Sequence, residues 1–278
     1  MNEIKTELLQ QLDHQNIVGG ALCVSSIRDS AFDGKPYERC VERLVRLIQQ
    51  PGRRGQSSSL SAGITRINNA LFGRFGMSVG AGRPRLVIDD PDRFFLDRVI
   101  DNRSGSPLSL SILYSHLAVS AGLKSECLAV GSYFFLSIMH QGAVAYIDPF
   151  EGGRVLASEE LKKKFRAVFL RNPAASTTIF ERVTPMQLLV RLIQQIKQIY
   201  MLKGNALYAL RAVDLLATLF PKSPEFARDR GILYCEMECF SKAVDDLKYY
   251  MRRRPKAEDL VEIKQLRKML RGYREVVN

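Results

Sequence analysis

Ser109 is the residue of this chain that comes closest to a candidate nucleophile. It follows Gly105-Ser106-Pro107-Leu108, a pattern typical of a helix that begins after a serine cap with proline in its first turn. A serine hydroxyl attacks only when a base is positioned to take its proton. His116 stands further along the same segment, about 10 Å away on a helix, which is too far for a direct hydrogen bond. The sequence around Ser109 therefore offers a nucleophile without a base.

Tyr133, Cys127 and His140 are the other residues near this segment that could take part in chemistry. A tyrosine, with a reference pKa of about 10, is a poor base near neutrality. Cys127 falls in a predicted strand, where a thiol packs as a small apolar side chain. His140 ends the next predicted strand, where we expect it to be exposed to solvent. The five cysteines and three histidines are widely spread, so we expect neither a metal site nor a cofactor.

A buried helix and three short strands are the elements that must position these residues. The helix begins at Pro107 and is apolar around most of its circumference, which predicts a central position. Three strands are expected after it, at 126–130, 133–139 and 143–147. A tight turn at Gln141-Gly142 joins the last two strands. Upstream, Asp90 is expected to cap another helix that runs to about Gly105. A buried helix that leads into an antiparallel sheet indicates an α+β fold.

The C-terminal part of the chain carries a repeat. Three pairs of like residues are each 34 positions apart: Tyr200 and Tyr234, Ala209 and Ala243, and Pro221 and Pro255. This spacing is the period of tetratricopeptide repeats. Each unit of such an array is a helix pair that cannot bury its apolar side alone, so two repeats need support. A further apolar pattern predicts a capping helix over 258–275.

The charge of the chain favours anionic partners without choosing among them. The formal net charge is +12 and the pI is about 9.6, and a positive potential attracts nucleic acid, acidic proteins and anionic lipid alike. Candidate phosphate contacts are Arg53, Arg54, Arg83, Arg85 and the run Arg252-Arg253-Arg254. No recognition helix or aromatic-basic pattern accompanies them, so nucleic-acid binding is weakly supported. No apolar run is long enough for a membrane span, and we expect a cytoplasmic location.

Four groups of residues are together specific enough to indicate one protein family. They are Asp90-Pro91 through Val99, Gly105-Ser106-Pro107-Leu108-Ser109-Leu110, Tyr146-Ile147-Asp148-Pro149-Phe150 with Gly152-Gly153, and Thr184-Pro185. Together they resemble the bacterial SirB-type regulator family, which joins a transglutaminase-like core to tetratricopeptide repeats. Helical periodicity in the first 50 residues predicts an N-terminal helical lobe over 1–60, and the resemblance implies a papain-like core of helix and antiparallel sheet over 61–182. Tetratricopeptide helical repeats then occupy 183–278.

The resemblance also locates an active site whose reactive groups are missing. Transglutaminase-like enzymes use a cysteine at the start of the core helix, together with a histidine and an aspartate on strands. The resemblance places Pro107 in the cysteine position and Tyr133 in the histidine position, and only Asp148 matches. We therefore expect a pseudoenzyme with no catalytic residue, in which Tyr133 and Asp148 form a hydrogen bond. The alternative is a hydrolase or acyltransferase of the cysteine-peptidase type that uses Ser109.

The first helices of the two repeats supply a candidate partner-binding surface. The register of the repeats places five residues toward the concave side of the array: Arg191, Gln194, Gln198, Arg228 and Ile232. Such arrays use this side to grip peptides, and its arginines favour an acidic one. We therefore expect an adaptor or regulatory protein that binds a protein or peptide partner. In one alternative the protein's own chain fills the groove, and in another the chain is a basic, nucleic-acid-associated protein.

Overall fold

The structure of this protein is a computed structural model that describes residues 2–14, 16–49, 59–78, 90–131, 133–166 and 180–276. The chain forms two compact units. The core unit is Thr6–Leu192, and the repeat unit is Ile193–Asn278 together with Met1–Lys5. The division of the first 182 residues into a helical lobe and a separate core stays a prediction.

Helices dominate the described residues up to position 131. They are α1 (Asn2–Asp13), α2 (Ile17–Cys23), α3 (Lys35–Gln49), α4 (Leu60–Asn68), α5 (Leu96–Asn102) and α6 (Pro107–Ser120), and α7 (Ser158–Lys164) follows later. Polar side chains cap the first turns of α2, α4 and α6. The Asn16 side chain accepts from the Gly19 N–H before α2, and Ser59 accepts from the Ala62 N–H before α4. These caps satisfy backbone donors that the first turn of a helix leaves unpaired.

A reciprocal pair of serines holds the start of α6. The Ser109 N–H donates to the Ser106 hydroxyl at 3.1 Å, and the Ser106 N–H donates to the Ser109 hydroxyl at 2.9 Å. Pro107 occupies the first turn, where a backbone N–H would have no partner inside the helix. Nearly every side chain from Leu108 to Leu117 is buried. Gly122 follows the helix with a left-handed φ of 78°. The predicted central helix is confirmed.

Five strands of the described residues form one antiparallel sheet in the order β4-β3-β2-β1-β5. The strands are β1 (Lys124–Val130), β2 (Tyr133–His140), β3 (Ala143–Asp148), β4 (Arg154–Leu156) and β5 (Glu181–Val183). The three predicted strands are confirmed, and so is the turn after β2. Gln141 and Gly142 have positive φ values of 49° and 84°, as a type I′ turn requires. Strands β4 and β5 were not predicted, because three residues are too few to reveal an alternating pattern.

Both faces of the sheet are buried. One face carries an aromatic cluster made of Leu128, Val130, Phe135, Leu156, Leu161 and Phe165, with Tyr133, Tyr146 and Phe180 packed against it. The ring centroid of Phe135 lies 5.2 Å from that of Phe180 and 6.0 Å from that of Phe165. Alternation along β2 turns Phe134 and Leu136 to the other face, where both are buried. Helix α6 packs on β1 and β2, so the sheet has cover on both sides.

The segment before α6 differs from the single helix predicted to start at Pro91. Asp90 caps the segment as expected, but only a 3₁₀ turn follows, Pro91–Arg93. The backbone then becomes extended at Phe95, with φ −75° and ψ 120°, before α5 begins. Phe94 and Phe95 are both buried. The break explains this, because consecutive residues of a continuous helix point in different directions.

The repeat unit is helical throughout its described residues. Its helices are α8 (Pro185–Leu202), which begins in the core unit, α9 (Ala206–Leu219), α10 (Pro224–Glu236), α11 (Phe240–Arg253) and α12 (Leu260–Val276). Gly231 permits close packing of α10 on α11, because a Cβ there would lie 2.9 Å from Leu247 side-chain atoms. Tyr250 and Leu247 pack with Ile263 and Leu270 of α12, which confirms the predicted final helix. In the described ranges, no helix combines the length and apolar character that crossing a membrane requires.

Candidate functional site

The start of α6 is the position where a transglutaminase-like enzyme has its cysteine. Pro107 lies there, half-buried in the first turn of the helix. A thiol in this place would face unpaired N–H groups and the positive end of the helix dipole, which lower the pKa of a cysteine. The pyrrolidine ring of proline has no atom that can attack a carbonyl. Pro107 therefore starts the helix and cannot act as a nucleophile, and its assignment to the cysteine position stays a prediction.

Tyr133 and Asp148 lie side by side, at the start of β2 and the end of β3. The Tyr133 hydroxyl donates a hydrogen bond to Oδ2 of Asp148, so the predicted hydrogen bond is confirmed. Asp148 is fully buried, and its Oδ1 accepts from the N–H groups of Phe150 (2.9 Å) and Glu151 (3.2 Å). Its carbonyl oxygen accepts from the N–H of Gly153 at 2.9 Å. Asp148 therefore organises the turn that follows β3.

The surroundings of Tyr133 determine its protonation state. Burial raises the pKa of the Tyr133 phenol well above its ordinary value of 10.0, and the hydrogen bond to Asp148 and the charge of that carboxylate raise it further. The ring packs on Phe165 and Phe135, at centroid distances of 5.2 and 6.1 Å. At neutral pH the phenol is thus a neutral hydrogen-bond donor. A phenol in this state is a poor acceptor for the proton of a nucleophile.

Ser109 is buried, and its hydroxyl belongs to the cap of α6. The hydroxyl donates to the carbonyl oxygen of Arg93 at 2.8 Å and lies 3.0 Å from the hydroxyl of Ser106. Within the described part of the chain, none of the hydrogen bonds of Ser109 goes to a base. His116 is half-buried further along α6, and burial lowers the pKa of its imidazole. The structure therefore does not pair the candidate nucleophile with the histidine of the same helix.

The structure agrees with the prediction for Cys127 and disagrees with the prediction for His140. Cys127 is buried, and burial raises the pKa of its thiol to about 12, so it is a packed thiol as predicted. The expectation that His140 is exposed is wrong. His140 is half-buried, and its Nε2 atom is buried without a hydrogen-bond partner among the described residues. The reason is that β2 is the central strand of the sheet.

A polar network that was not predicted ties the turn after β3 to two helices. Tyr114 on α6 donates to Oδ1 of Asn68 at 2.8 Å, and Nδ2 of Asn68 donates to the carbonyl oxygen of Gly153 at 2.9 Å. These partners are 46 and 85 residues apart in the sequence, so no local pattern connects them. The available signal was Gly153 itself. It has a φ of 73°, and a Cβ there would lie 2.0 Å from Oδ1 of Asn68.

A second unpredicted network surrounds the carboxylate of Asp97 on α5. Asp97 is 2% exposed and accepts hydrogen bonds from the Ser25 hydroxyl and the Arg28 guanidinium, both at 2.6 Å. The guanidinium also lies 5.1 Å from the centre of the Phe95 ring. A buried carboxylate without such partners is strongly destabilising. The network therefore fixes the segment after α2 against α5.

The predicted partner-binding residues are distributed over both units. Arg191 belongs to the core unit, where its guanidinium contacts both carboxylate oxygens of Glu181 at 2.6 Å and lies 5.6 Å from the Phe134 ring centre. The repeat unit holds the other four: Gln194, Gln198, Arg228 and Ile232. Gln194 is half-buried and Gln198 is exposed. A role of this set in partner binding stays a prediction.

Arg228 is engaged within the repeat unit. Its guanidinium lies 2.8 Å from carboxylate oxygens of Asp229 and of Asp259. Asp229 is also paired with Lys197 of α8. Ile232 packs against the apolar cluster of α11 and α12. These contacts agree with the alternative in which the protein's own side chains fill the predicted groove.

Comparisons with known protein families agree with this architecture. A family model described as the transglutaminase-like superfamily matches residues 37–194, which is more than half of the chain. A model described as tetratricopeptide repeat matches residues 196–268. The boundary between the two matches falls in α8, as does the boundary between the two units. No solved structure matches the chain.

Similar proteins occur in several bacteria. A UPF0162 protein of Xylella fastidiosa (strain Temecula1) is 24% identical over 247 residues, which cover 88% of this chain and 86% of that protein. The UPF0162 protein YchA of Escherichia coli (strain K12) is 26% identical over 243 residues, 85% and 86% of the two chains. Protein SirB1 of Salmonella typhimurium is 26% identical over 221 residues, 77% and 78%. The chain therefore belongs to the transglutaminase-like superfamily, in the SirB-type family that joins this core to tetratricopeptide repeats.

Proposed function

We propose that this chain is a catalytically silent, transglutaminase-like scaffold that binds a protein partner. The observation that carries the proposal is the hydrogen bond between Tyr133 and Asp148. In a working triad the aspartate orients a histidine, whereas here it holds a phenol that cannot serve as a base near pH 7. Pro107 removes the nucleophile as well. Members of a triad act as a unit, so the loss of two of them lowers the rate of acyl transfer through this site by many orders of magnitude.

Hydrolysis by Ser109 is the weaker alternative. Its hydroxyl is buried and donates to the carbonyl oxygen of Arg93. It would have to leave the cap of α6 to reach a substrate. The hydroxyl would then lose the hydrogen bond that it accepts from the Ser106 N–H and the one that it donates to Arg93. Loss of a capping interaction destabilises a helix by about 1 kcal/mol. These contacts favour a structural role for the serine.

An activity-based labelling experiment tests catalytic silence. Folded wild-type protein is treated with a fluorophosphonate probe, and modified residues are located by mass spectrometry. We expect no modification of Ser109. Modification that disappears in Ser109→Ala and persists in Ser111→Ala would contradict the proposal. Ser111 is a matched control, because it is a buried serine of the same helix whose hydroxyl donates to the Pro107 carbonyl oxygen at 2.8 Å.

The partner part of the proposal rests on the repeats. The tetratricopeptide match covers most of the repeat unit, and arrays of this kind present extended surfaces to other proteins. A protein partner fits a chain that keeps a folded core and lacks two of the three groups of a triad. A regulatory role and a cytoplasmic location stay predictions.

A nuclease-treated pull-down from native cell extract tests partner binding. Gln194→Ala/Gln198→Ala is the informative variant, since charge reversal at Arg228 would place a third carboxylate beside Asp229 and Asp259. Gln10→Ala, an exposed glutamine of α1, serves as the control. We expect a specific protein that wild type and the control retain and the double variant loses. If wild type retains no specific protein, the partner proposal is wrong, and equal retention by all three would place binding away from α8.

A further inference from the structure

An exposed basic surface lies at the end of α11 and on the outer side of α12. We call it the C-terminal basic face, and its residues are Arg252, Arg253, Lys256, Lys264 and Lys268, all of them exposed. Residues 252–278 contain nine Lys and Arg against four Asp and Glu, which leaves +5 of the net charge of +12 in about a tenth of the chain. Among the described side chains, no carboxylate pairs with any of these five cations. Their charges are therefore available to a partner.

Two apolar side chains interrupt this basic face. Val261 is 62% exposed and Met269 is 59% exposed. They share the outer side of α12 with Lys264 and Lys268, because residues three, four and eight positions apart lie close to one another on a helix. The opposite side of α12 is buried on α11 through Ile263. The outer side thus combines positive charge with exposed apolar surface.

The combination of positive charge and exposed apolar side chains favours one of three kinds of anionic partner: nucleic acid, an anionic membrane or an acidic protein segment. Binding of a phosphate backbone depends on cations and gains little from an exposed valine and methionine. Binding to an anionic membrane needs the apolar side of an amphipathic helix to enter the lipid, but the continuous apolar side of α12 is already buried. A protein segment that carries both carboxylates and apolar side chains matches the charge and the apolar residues together.

We propose that the C-terminal basic face binds an acidic, amphipathic segment of a protein partner, an inference that rests on the proposed function for the existence of such a partner. Val261 and Met269 stand about 12 Å apart along the helix axis. They bury apolar side chains of the segment, and Lys264 and Lys268 between them pair with its carboxylates. This arrangement suits a bound helix that lies along α12, because an amphipathic helix presents apolar side chains on one side at every third or fourth position.

Ion pairs within the protein also favour the C-terminal basic face over the predicted groove as the binding surface. An acidic ligand in the predicted groove would compete with Glu181 for Arg191 and with Asp229 and Asp259 for Arg228. Those pairs are intramolecular, so they form at a high effective concentration that a separate peptide must overcome. No such competition exists at the C-terminal basic face within the described residues.

Fluorescence anisotropy with defined probes tests the inference on the full chain. The first probe is a labelled peptide of about 16 residues, or roughly four helical turns, made of Glu with Leu at every third or fourth position. The second probe replaces each Leu by Ser, and the third is a labelled oligothymidylate of equal charge. We expect wild type to bind the Glu/Leu peptide about tenfold more tightly than either other probe, a difference of about 1.4 kcal/mol.

Two double variants and a matched control locate the site. We expect Lys264→Glu/Lys268→Glu to weaken binding of the Glu/Leu peptide about tenfold or more. Val261→Ser/Met269→Ser should abolish the preference for the Glu/Leu peptide over the Glu/Ser peptide. Lys203→Glu/Lys242→Glu reverses two exposed lysines of the same unit that lie outside the C-terminal basic face and should leave affinity within about twofold, because surface charges act over a Debye length of only ~8 Å at physiological salt.

Three results would overturn the inference. They are unchanged binding in Lys264→Glu/Lys268→Glu, equal binding of both peptides by wild type, and tighter binding of the oligothymidylate. Circular dichroism of each variant excludes loss of folding, and all four changes lie on exposed positions. Failure here leaves the proposed function standing if wild type retains a specific protein in the pull-down. Failure of the proposed function is the separate result in which no protein is retained.

Discussion

The carboxylate of Asp148 is satisfied by donors from two elements. The Tyr133 phenol reaches it from β2, and the N–H groups of Phe150 and Glu151 reach it from the turn that it begins. A buried carboxylate that lacks donors is costly. The loss of one of these donors is therefore expected to lower the stability of the core unit.

Tyr133→Phe removes the phenol and leaves the ring. We expect the free energy of unfolding to fall by about 1–3 kcal/mol, because the buried Oδ2 of Asp148 loses a donor. Urea unfolding at pH 7 measures the change. Tyr146→Phe is the control, since Tyr146 packs against the same aromatic cluster and its hydroxyl has no hydrogen bond among the described residues. A cost no larger than that of Tyr146→Phe would contradict the expectation.

The raised pKa of Tyr133 predicts a loss of stability in alkali. The unfolded tyrosine releases its proton near its ordinary pKa of 10.0, while the buried phenol beside Asp148 keeps its proton to higher pH. Above pH 10 the folded state thus binds more protons, so stability falls as pH rises. We expect Tyr133→Phe to lose less stability than wild type between pH 9 and pH 11 in urea titrations. Equal losses would show that other groups dominate.

Contacts between single residues were predictable only where a motif linked them. Tyr133 and Asp148 were predicted to pair because the family resemblance places both of them in positions of a triad. The bonds from Tyr114 to Asn68 and from Arg28 to Asp97 join residues 46 and 69 positions apart. Nothing in the neighbouring sequence marks such partners, since only the packing of separate helices brings them together.

The turn after β3 is the element on which these residues converge. Asp148 begins its 3₁₀ segment, Pro149–Glu151, and Asn68 of α4 binds the carbonyl oxygen of Gly153. Gly153 needs both a left-handed backbone and the absence of a Cβ. Gly142, in the turn between β2 and β3, has a left-handed φ but open space around it. A side chain at Gly142 would therefore meet backbone strain alone, whereas one at Gly153 would meet both backbone strain and a steric clash with Asn68.

Gly153→Ala is expected to cost more stability than Gly142→Ala. Both substitutions carry the strain of a left-handed alanine, about 1–2 kcal/mol. Only Gly153→Ala also forces Asn68 away and breaks its hydrogen bond, which adds about 1–3 kcal/mol. Thermal or urea unfolding of the two variants in parallel measures the difference. Equal costs would show that Asn68 moves aside without loss.

Elements with strong local signals were predictable, and others were not. Helix α6 was predicted from its serine cap, its proline and its continuous apolar run, and strands β1 to β3 from alternation and a glycine turn. Strand β5 spans three residues, Glu181–Val183, and pairs with β1 from far along the chain. Its existence depends on that partner, so local sequence could not reveal it. The break at Phe95 likewise lacked a local signal, because the burial of two adjacent rings that it permits depends on packing against other elements.

Positive charge is unevenly distributed over the molecule, and the last 27 residues carry a large share of it. Residues 193–251 contain eight Lys and Arg against seven Asp and Glu, and many of these charges form internal pairs such as Arg230 with Asp246. Residues 252–278 carry nine against four. A clustered charge produces a stronger local potential than the same charge spread evenly.

Cation-exchange chromatography can detect this concentration. Lys264→Glu/Lys268→Glu and Lys203→Glu/Lys242→Glu both lower the net charge from +12 to +8. We expect the first variant to elute at clearly lower salt, because a column binds the face with the strongest local potential. Elution of the two variants at the same salt would mean that net charge alone governs binding.

Asp148 has a role in the fold that does not depend on any chemistry. Its carboxylate and its carbonyl oxygen accept from three backbone N–H groups of the turn after β3. Its replacement would therefore damage folding whether or not the protein catalyses a reaction. In a chain that folds this way, the presence of that aspartate alone is no evidence of catalysis.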